Sequence, residues 1–354
     1  MFWSGLLVVA AGGIGALAWM GPVAEIREQA SPVAPLIQKP EPGHEAAGTP
    51  PATPALSRDI AARQNGGVIA PPDPALLEPA PDIASGMLPR IAADGRAPMT
   101  VYAAGFDEHD QRPRIALLVA GIGMSAAESR LAIANLPSAV SLAVSPYAAE
   151  LDELLGAARA GGHETLVSLP MEPQGYPLND PGHHAMLTGA SLAANAQRLD
   201  WALTRFGGYV GATGALGALR GERFAAASDQ MEPILEVMAQ RGLLYVDPRP
   251  NARRQTWRAA GKLPYRGVDL VVDDPAGREN VESALARLEV IALNRGAAIG
   301  LIGRPAPLTL DRIGVWLLGL EARGIALAPV SVVVQMPQAP DISRQTHLSS
   351  RGPP

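Results

Sequence analysis

From Arg112 onward, short apolar runs rich in β-branched residues alternate with longer Ala/Leu-rich amphipathic stretches. Short apolar runs bounded by turn residues fit buried strands, whereas an apolar repeat near 3.6 residues fits a helix. The pattern predicts strands at Arg114–Ala120, Val140–Val144, Glu164–Leu169, Tyr209–Ala212, Leu243–Asp247, Leu270–Asp273, Ala297–Ile302 and Ile325–Val330. It predicts helices at Ala126–Asn135, Ala149–Ala160, Leu192–Phe206, Asp229–Arg241, Arg278–Asn294 and Leu310–Arg323. Ser191, Asp274-Pro275 and Thr309 supply helix-start signals. About eight strands over roughly 230 residues, most followed by a helix, indicate parallel βα units. That number fits a closed or distorted barrel better than a small doubly wound sheet, with an open sheet as the alternative. Either way, a site is expected where the C-terminal ends of the strands meet their loops.

The chain before this region has two other textures. Met1 to Val23 carries no charged side chain and is apolar on every face, with Trp3 and Trp19 near its ends. Such a segment suits roughly 30 Å of hydrocarbon. It lacks the basic start and small-residue cleavage site of a signal peptide, so residues 1–24 are expected to be an uncleaved single-pass anchor. Residues 25–99 are rich in Pro and Ala, including Pro32, Pro35, Pro40, Pro42, Pro71, Pro72 and Pro74, and are expected to be a disordered, semi-extended linker. The globular domain is placed at 100–340 and a disordered tail at 341–354.

Composition narrows the chemistry. With 47% hydrophobic and 18% charged residues, the 354-residue chain can bury a large core. A net charge of −5 gives no support for a nucleic-acid partner. The absence of cysteine removes disulfides, thiolate metal sites and cysteine nucleophiles together.

Several strings resemble the divergent polysaccharide deacetylases, the type 2 branch related to the NodB-like carbohydrate esterases. They are Gly162-His163-Glu164, Leu169-Pro170-Met171-Glu172-Pro173, Tyr176-Pro177, Asn179-Asp180-Pro181-Gly182, Arg205 through Gly211, Arg241 through Asp247, and Arg323 through Ser331. The resemblance implies a distorted (β/α) barrel that removes N-acetyl groups from a glycan. It implies a divalent metal such as zinc, held by an Asp and two His, with a second Asp as general base. It also implies an exported domain, here periplasmic on an inner-membrane anchor, with polysaccharide or peptidoglycan as the partner.

The reactive residues are missing from the matching positions. Ala120 and Gly121 stand where the family has its paired aspartates, Ala215 where it has a metal histidine, and Arg304 where it has a second functional histidine. The flanking glycines and prolines, which set backbone shape, are kept. The expectation is a non-catalytic member with no cofactor; an active deacetylase with a relocated site is the alternative. Residues left for a ligand cleft are Glu172, Tyr176, Asp180, His183, His184, Asp247 and Arg249. Glu172 and Asp247 follow strands at the correct end, and either hydrogen-bond a sugar hydroxyl or join a buried ion pair. Adjacent His183 and His184 diverge and poorly suit a single ion. His163 and Glu164 precede a strand, on the opposite face, and read as a paired structural turn. Asp274 reads as an N-cap before Pro275. Ser168 lacks a Gly-x-Ser-x-Gly context, and Gly121-Ile122-Gly123 lacks the third glycine of a dinucleotide loop. Sugar rings stack on aromatic faces, and Tyr176, Tyr245, Trp257 and Tyr265 lie in or near the loops.

Overall fold

The computed structural model describes residues 67–250, 252 and 263–336. The expected anchor, the first part of the linker, Trp257 and the tail lie outside the described residues. No helix among the described residues is long and apolar enough to cross a membrane.

The expected linker needs correction at its C-terminal end. From residue 67 the chain is an arm folded onto the barrel, with strands β1 (Leu77–Pro79) and β2 (Met87–Pro89) paired antiparallel and a short helix α1 (Pro98–Val101). Leu76, Leu88 and Tyr102 are fully buried. The backbone N–H groups of Ile69 and Met99 donate to the carbonyls of Arg159 and Gly242. The prolines permit this because they sit where an N–H is not needed: Asp73 caps a turn of 3₁₀ helix that begins at Pro74. Proline content alone therefore misreads a segment whose spaced leucines supply an apolar face.

The barrel is built on strand β3 (Arg114–Ile122), buried along almost its entire length. A strand apolar on both faces belongs in the interior of a parallel sheet. The remaining strands are β4 (Ser141–Val144), β5 (Thr165–Ser168), β6 (Gly211–Thr213), β7 (Leu244–Asp247), β8 (Tyr265–Gly267), β9 (Leu270–Val271), β10 (Ala297–Ile302) and β11 (Ala326–Leu327). They run parallel in the order β8-β7-β6-β5-β4-β3-β10-β9, with β11 paired to the start of β3. The sheet curls into a half-barrel whose two end strands are β8 and β9. Side chains on alternate positions face inward, as with Ala116, Leu118 and Ala120. Their neighbours Ile115, Leu117 and Val119 face the helices.

The helices covering the outside are α2 (Ala126–Asn135), α3 (Leu151–Ala160), α4 (Leu192–Leu203), α5 (Glu222–Ala226), α6 (Ser228–Gln240), α7 (Arg278–Arg295) and α8 (Pro307–Leu317). Ser191 caps α4 as expected, accepting from the Ala194 N–H. Asp274 does not cap α7. Gly277 occupies that position, and Asp274 instead pairs with Arg220 at 2.8 Å. Thr309 lies inside α8, which starts at Pro307. The predicted strand Ile325–Val330 is short because Pro329 starts helix α9 (Val330–Gln335). Val330, Val333 and Val334, spaced as one helical face, join the interior cluster with Ala328 and plug the N-terminal end of the barrel.

That plug is tied by Glu164, which is wholly buried. Its carboxylate accepts from the Ala104 N–H, the Ser141 hydroxyl, and the N–H and hydroxyl of Ser331. One side chain thereby joins the arm, β4 and α9. His163 is also buried, its ring nitrogens lying 2.9 and 3.3 Å from the carbonyls of Val140 and Ile133, and burial pushes its pKa down. Both residues serve stability at the face opposite the strand-end loops, as the sequence predicts.

Candidate functional site

The loops at the C-terminal ends of β3, β6 and β10 converge on one point. Gly121 leaves β3 with φ near +77°, and a Cβ there would lie 3.0 Å from the Gly303 carbonyl oxygen and 3.4 Å from the Gly217 Cα. Gly303 in turn lies against Gly217 and Ala218, a Cβ there falling 3.3 Å from the Gly217 carbonyl and the Ala218 Cα. Backbone meets backbone where the resemblance would put a metal. Ala120 and Ala215 are fully buried beneath, in the interior cluster.

Asp273, just beyond β9, fixes the third turn by accepting from the Gly303 and Arg304 N–H groups, both at 2.8 Å. The Arg304 side chain points outward, is mostly exposed, and grips Glu128 near the start of α2 at 2.6 Å. Asp273 was visible in the sequence only as half of an Asp-Asp pair, and its backbone-clamping role depends on a strand partner thirty residues later. No signal in the sequence marks it.

The residues that implied a cleft do not meet in one. Glu172 is buried, takes the Thr188 N–H and hydroxyl at 2.6 and 2.7 Å, and pairs with Arg223 at 3.0 Å. Asp247 is completely buried, clamped by Arg249 at 2.6 Å and by the Tyr265 hydroxyl. Both carboxylates thus belong to ion pairs rather than to a sugar site. Burial, with Asp247 close by, pushes the Tyr245 and Tyr265 phenols well up, so neither supplies a base near neutrality. Tyr245 and Tyr265 have no face open to a sugar, both being buried. Tyr176 lies half-buried in the loop after β5, and Asp180 caps the Gly182 N–H in that same loop.

His183 and His184 belong to an aromatic group. The His184 ring stacks on Trp201 of α4 at 3.8 Å and 11°, while His183 is exposed at 4.3 Å from His184. Tyr147 stands beside Trp201 at 5.0 Å, and Arg205 lies 5.5 Å from the Trp201 ring. Burial, reinforced by His183, pushes the His184 pKa down. Trp201 was overlooked in the sequence because it looks like any apolar position of an amphipathic helix.

A metal does not fit these residues. A divalent ion needs several carboxylates or imidazoles aimed at one point, and no group of three or more His, Asp or Glu among the described residues can hold one. The turns that would carry the ligands hold alanine, glycine and an outward arginine instead.

The curled parallel barrel and these three strand-end turns define a polysaccharide-deacetylase type of protein. The sequence profile of the divergent polysaccharide deacetylases matches residues 117–334, and the chain belongs to that family. An uncharacterized protein from Agrobacterium tumefaciens C58, seen in a crystal structure, is similar at 31% identity, over 70% of this chain and 99% of that one, with a TM-score of 0.65. No curated protein matches the chain.

Proposed function

We propose that this chain is a non-catalytic member of the divergent polysaccharide deacetylase family, anchored in the inner membrane, whose periplasmic domain binds a glycan or an envelope partner. The observation that carries this reading is the contact of Gly121, Gly217 and Gly303 at the strand-end pole. Deacetylation by this family's chemistry needs room for a metal, its water and an amide carbonyl. Here that room is filled by backbone, and the donors are gone. The anchor rests on the uncharged apolar stretch Met1–Val23. The relocated-site alternative gains no support, since Glu172 and Asp247 are spent in separate ion pairs and the histidines stack on Trp201.

The test is metal content and acetate release. The purified protein, exposed to zinc and freed of excess, is expected to retain none and to release no acetate from N-acetylated glycan oligomers. One tightly held zinc per chain, or acetate release abolished by a chelator, would overturn the reading.

A further inference from the structure

A groove of about 520 Å³ runs between the arm and helix α4, on the flank of the barrel rather than at its strand-end pole. Its size falls in the roughly 300–1,000 Å³ range of small-molecule sites. Asp82 and Ile83 line it from the arm, His184 from the loop after β5, and Gln197, Arg198, Asp200 and Trp201 from α4. Ala194, Gln197, Arg198 and Trp201 recur at helical spacing, so the groove is floored by a single face of α4.

The polar side chains of this groove are uncommitted. Among the described residues, Asp82, Gln197, Asp200, the His184 ring and the Trp201 indole N–H take no hydrogen-bond partner, and Arg198 has only a long 3.4 Å contact with Asn195. Arginines elsewhere hold carboxylates tightly in several places, as Arg249 does Asp247 and Arg304 does Glu128. Asp200 is half-buried, and burial followed by nearby Asp82 outweighs the help of Arg241 to push its pKa up. A partly desolvated acceptor with no donor is a site waiting for one.

We propose that this groove is a saccharide-binding site. Carboxylates and the Gln197 carbonyl accept, Arg198, the Gln197 amide and the indole N–H donate, and Ile83 with the Trp201–His184 wall supplies apolar surface. A sugar ring offers the complement: hydroxyls that both donate and accept around an apolar face. A purely anionic ligand meets Asp82 and Asp200, and a purely cationic one meets Arg198. The wall is pre-formed, because His184 is already stacked on Trp201, which lowers the ordering cost of binding.

The inference rests on the glycan-binding part of the proposed function and gives it a place away from the pole, so its test is separate from that of the closed pole. The full chain in detergent is titrated with an N-acetylglucosamine tetramer and a glucose tetramer, by calorimetry and tryptophan fluorescence. At least one is expected to bind, and Arg198→Ala and Asp82→Ala are each expected to weaken it about tenfold or more. Neither residue has an ion pair to lose, so both variants should keep the parent circular dichroism and melting temperature. Absence of binding by both tetramers, or binding unchanged in both variants, overturns the proposal. Groove-dependent capture of a peptide in place of either sugar overturns it as well. None of these outcomes alters metal content or acetate release, which judge the non-catalytic reading alone.

Discussion

A matched pair of glycine substitutions measures whether the strand-end pole is packed shut. Gly121 and Gly296 share nearly the same positive φ, +77° and +79°. At Gly296, past the end of α7, a Cβ meets nothing within 4 Å, whereas at Gly121 it falls 3.0 Å from the Gly303 oxygen. Placing alanine in the left-handed region costs about 1–2 kcal/mol, and the stiffer unfolded chain returns about 0.4–1 kcal/mol. Gly296→Ala should therefore destabilise by about 0–1.6 kcal/mol. Gly121→Ala carries the same terms and adds an overpacking cost of about 1–3 kcal/mol. The Gly303 oxygen has little freedom to retreat, because Asp273 holds the N–H of the same residue. The difference between the variants is thus about 1–3 kcal/mol, or roughly 2–10 °C in melting temperature. Urea unfolding followed by far-ultraviolet circular dichroism reads it directly, provided the m-values agree. If Gly121→Ala is no less stable than Gly296→Ala, the pole has slack, and the argument for a closed site fails.

Other outcomes follow from the same contacts. Writing the family's ligands back with Ala120→Asp, Gly121→Asp, Ala215→His and Arg304→His should not create a zinc site, since the Gly121 side chain has nowhere to go; stoichiometric zinc by elemental analysis would contradict this. Glu164→Gln replaces an acceptor of several buried donors with a group that itself donates, and should destabilise by about 2–4 kcal/mol in urea unfolding. Burial raises the folded pKa of Asp200 above the usual carboxylate range, so its ionisation opposes folding as pH rises. Asp200→Asn should therefore raise the melting temperature near neutrality, and the gain should vanish below the ordinary carboxylate range. A gain that persists in acid would assign it to packing.

Much of the barrel was legible because its strands are buried on both faces. The run Arg114–Ile122 and the run Ala297–Ile302 read as strands without ambiguity, and they became the paired centre of the sheet. The empty ligand positions were equally plain, since the loss of an Asp or His is a fact of the sequence. The arm was misread because proline content outweighed the spacing of Leu76, Leu88 and Tyr102. Strand β8 was missed because Tyr265-Arg266-Gly267 is too short for a period to register. The groove was invisible for a different reason. Asp82, His184 and Trp201 come from three distant segments, and only folding brings them together. The Glu172 ion pair rests on Arg223, which spacing does not disclose, whereas Arg249 stands two residues from Asp247 in plain view and only the Tyr265 hydroxyl is hidden.

The arm has a further consequence for the order in which the protein assembles. It is made before the barrel, yet its anchoring partners arrive much later: Glu164 is 60 residues beyond Ala104, and Arg241 is 163 residues beyond Glu78. During synthesis or passage across a membrane, Leu76, Leu88 and Tyr102 have no surface to cover them until α6 and β7 have emerged. Exposed apolar side chains in a waiting segment invite association with other chains. The prolines around them disfavour the strand pairing through which such association usually proceeds. The composition that disguised the arm as a spacer thus keeps it solitary until its dock exists.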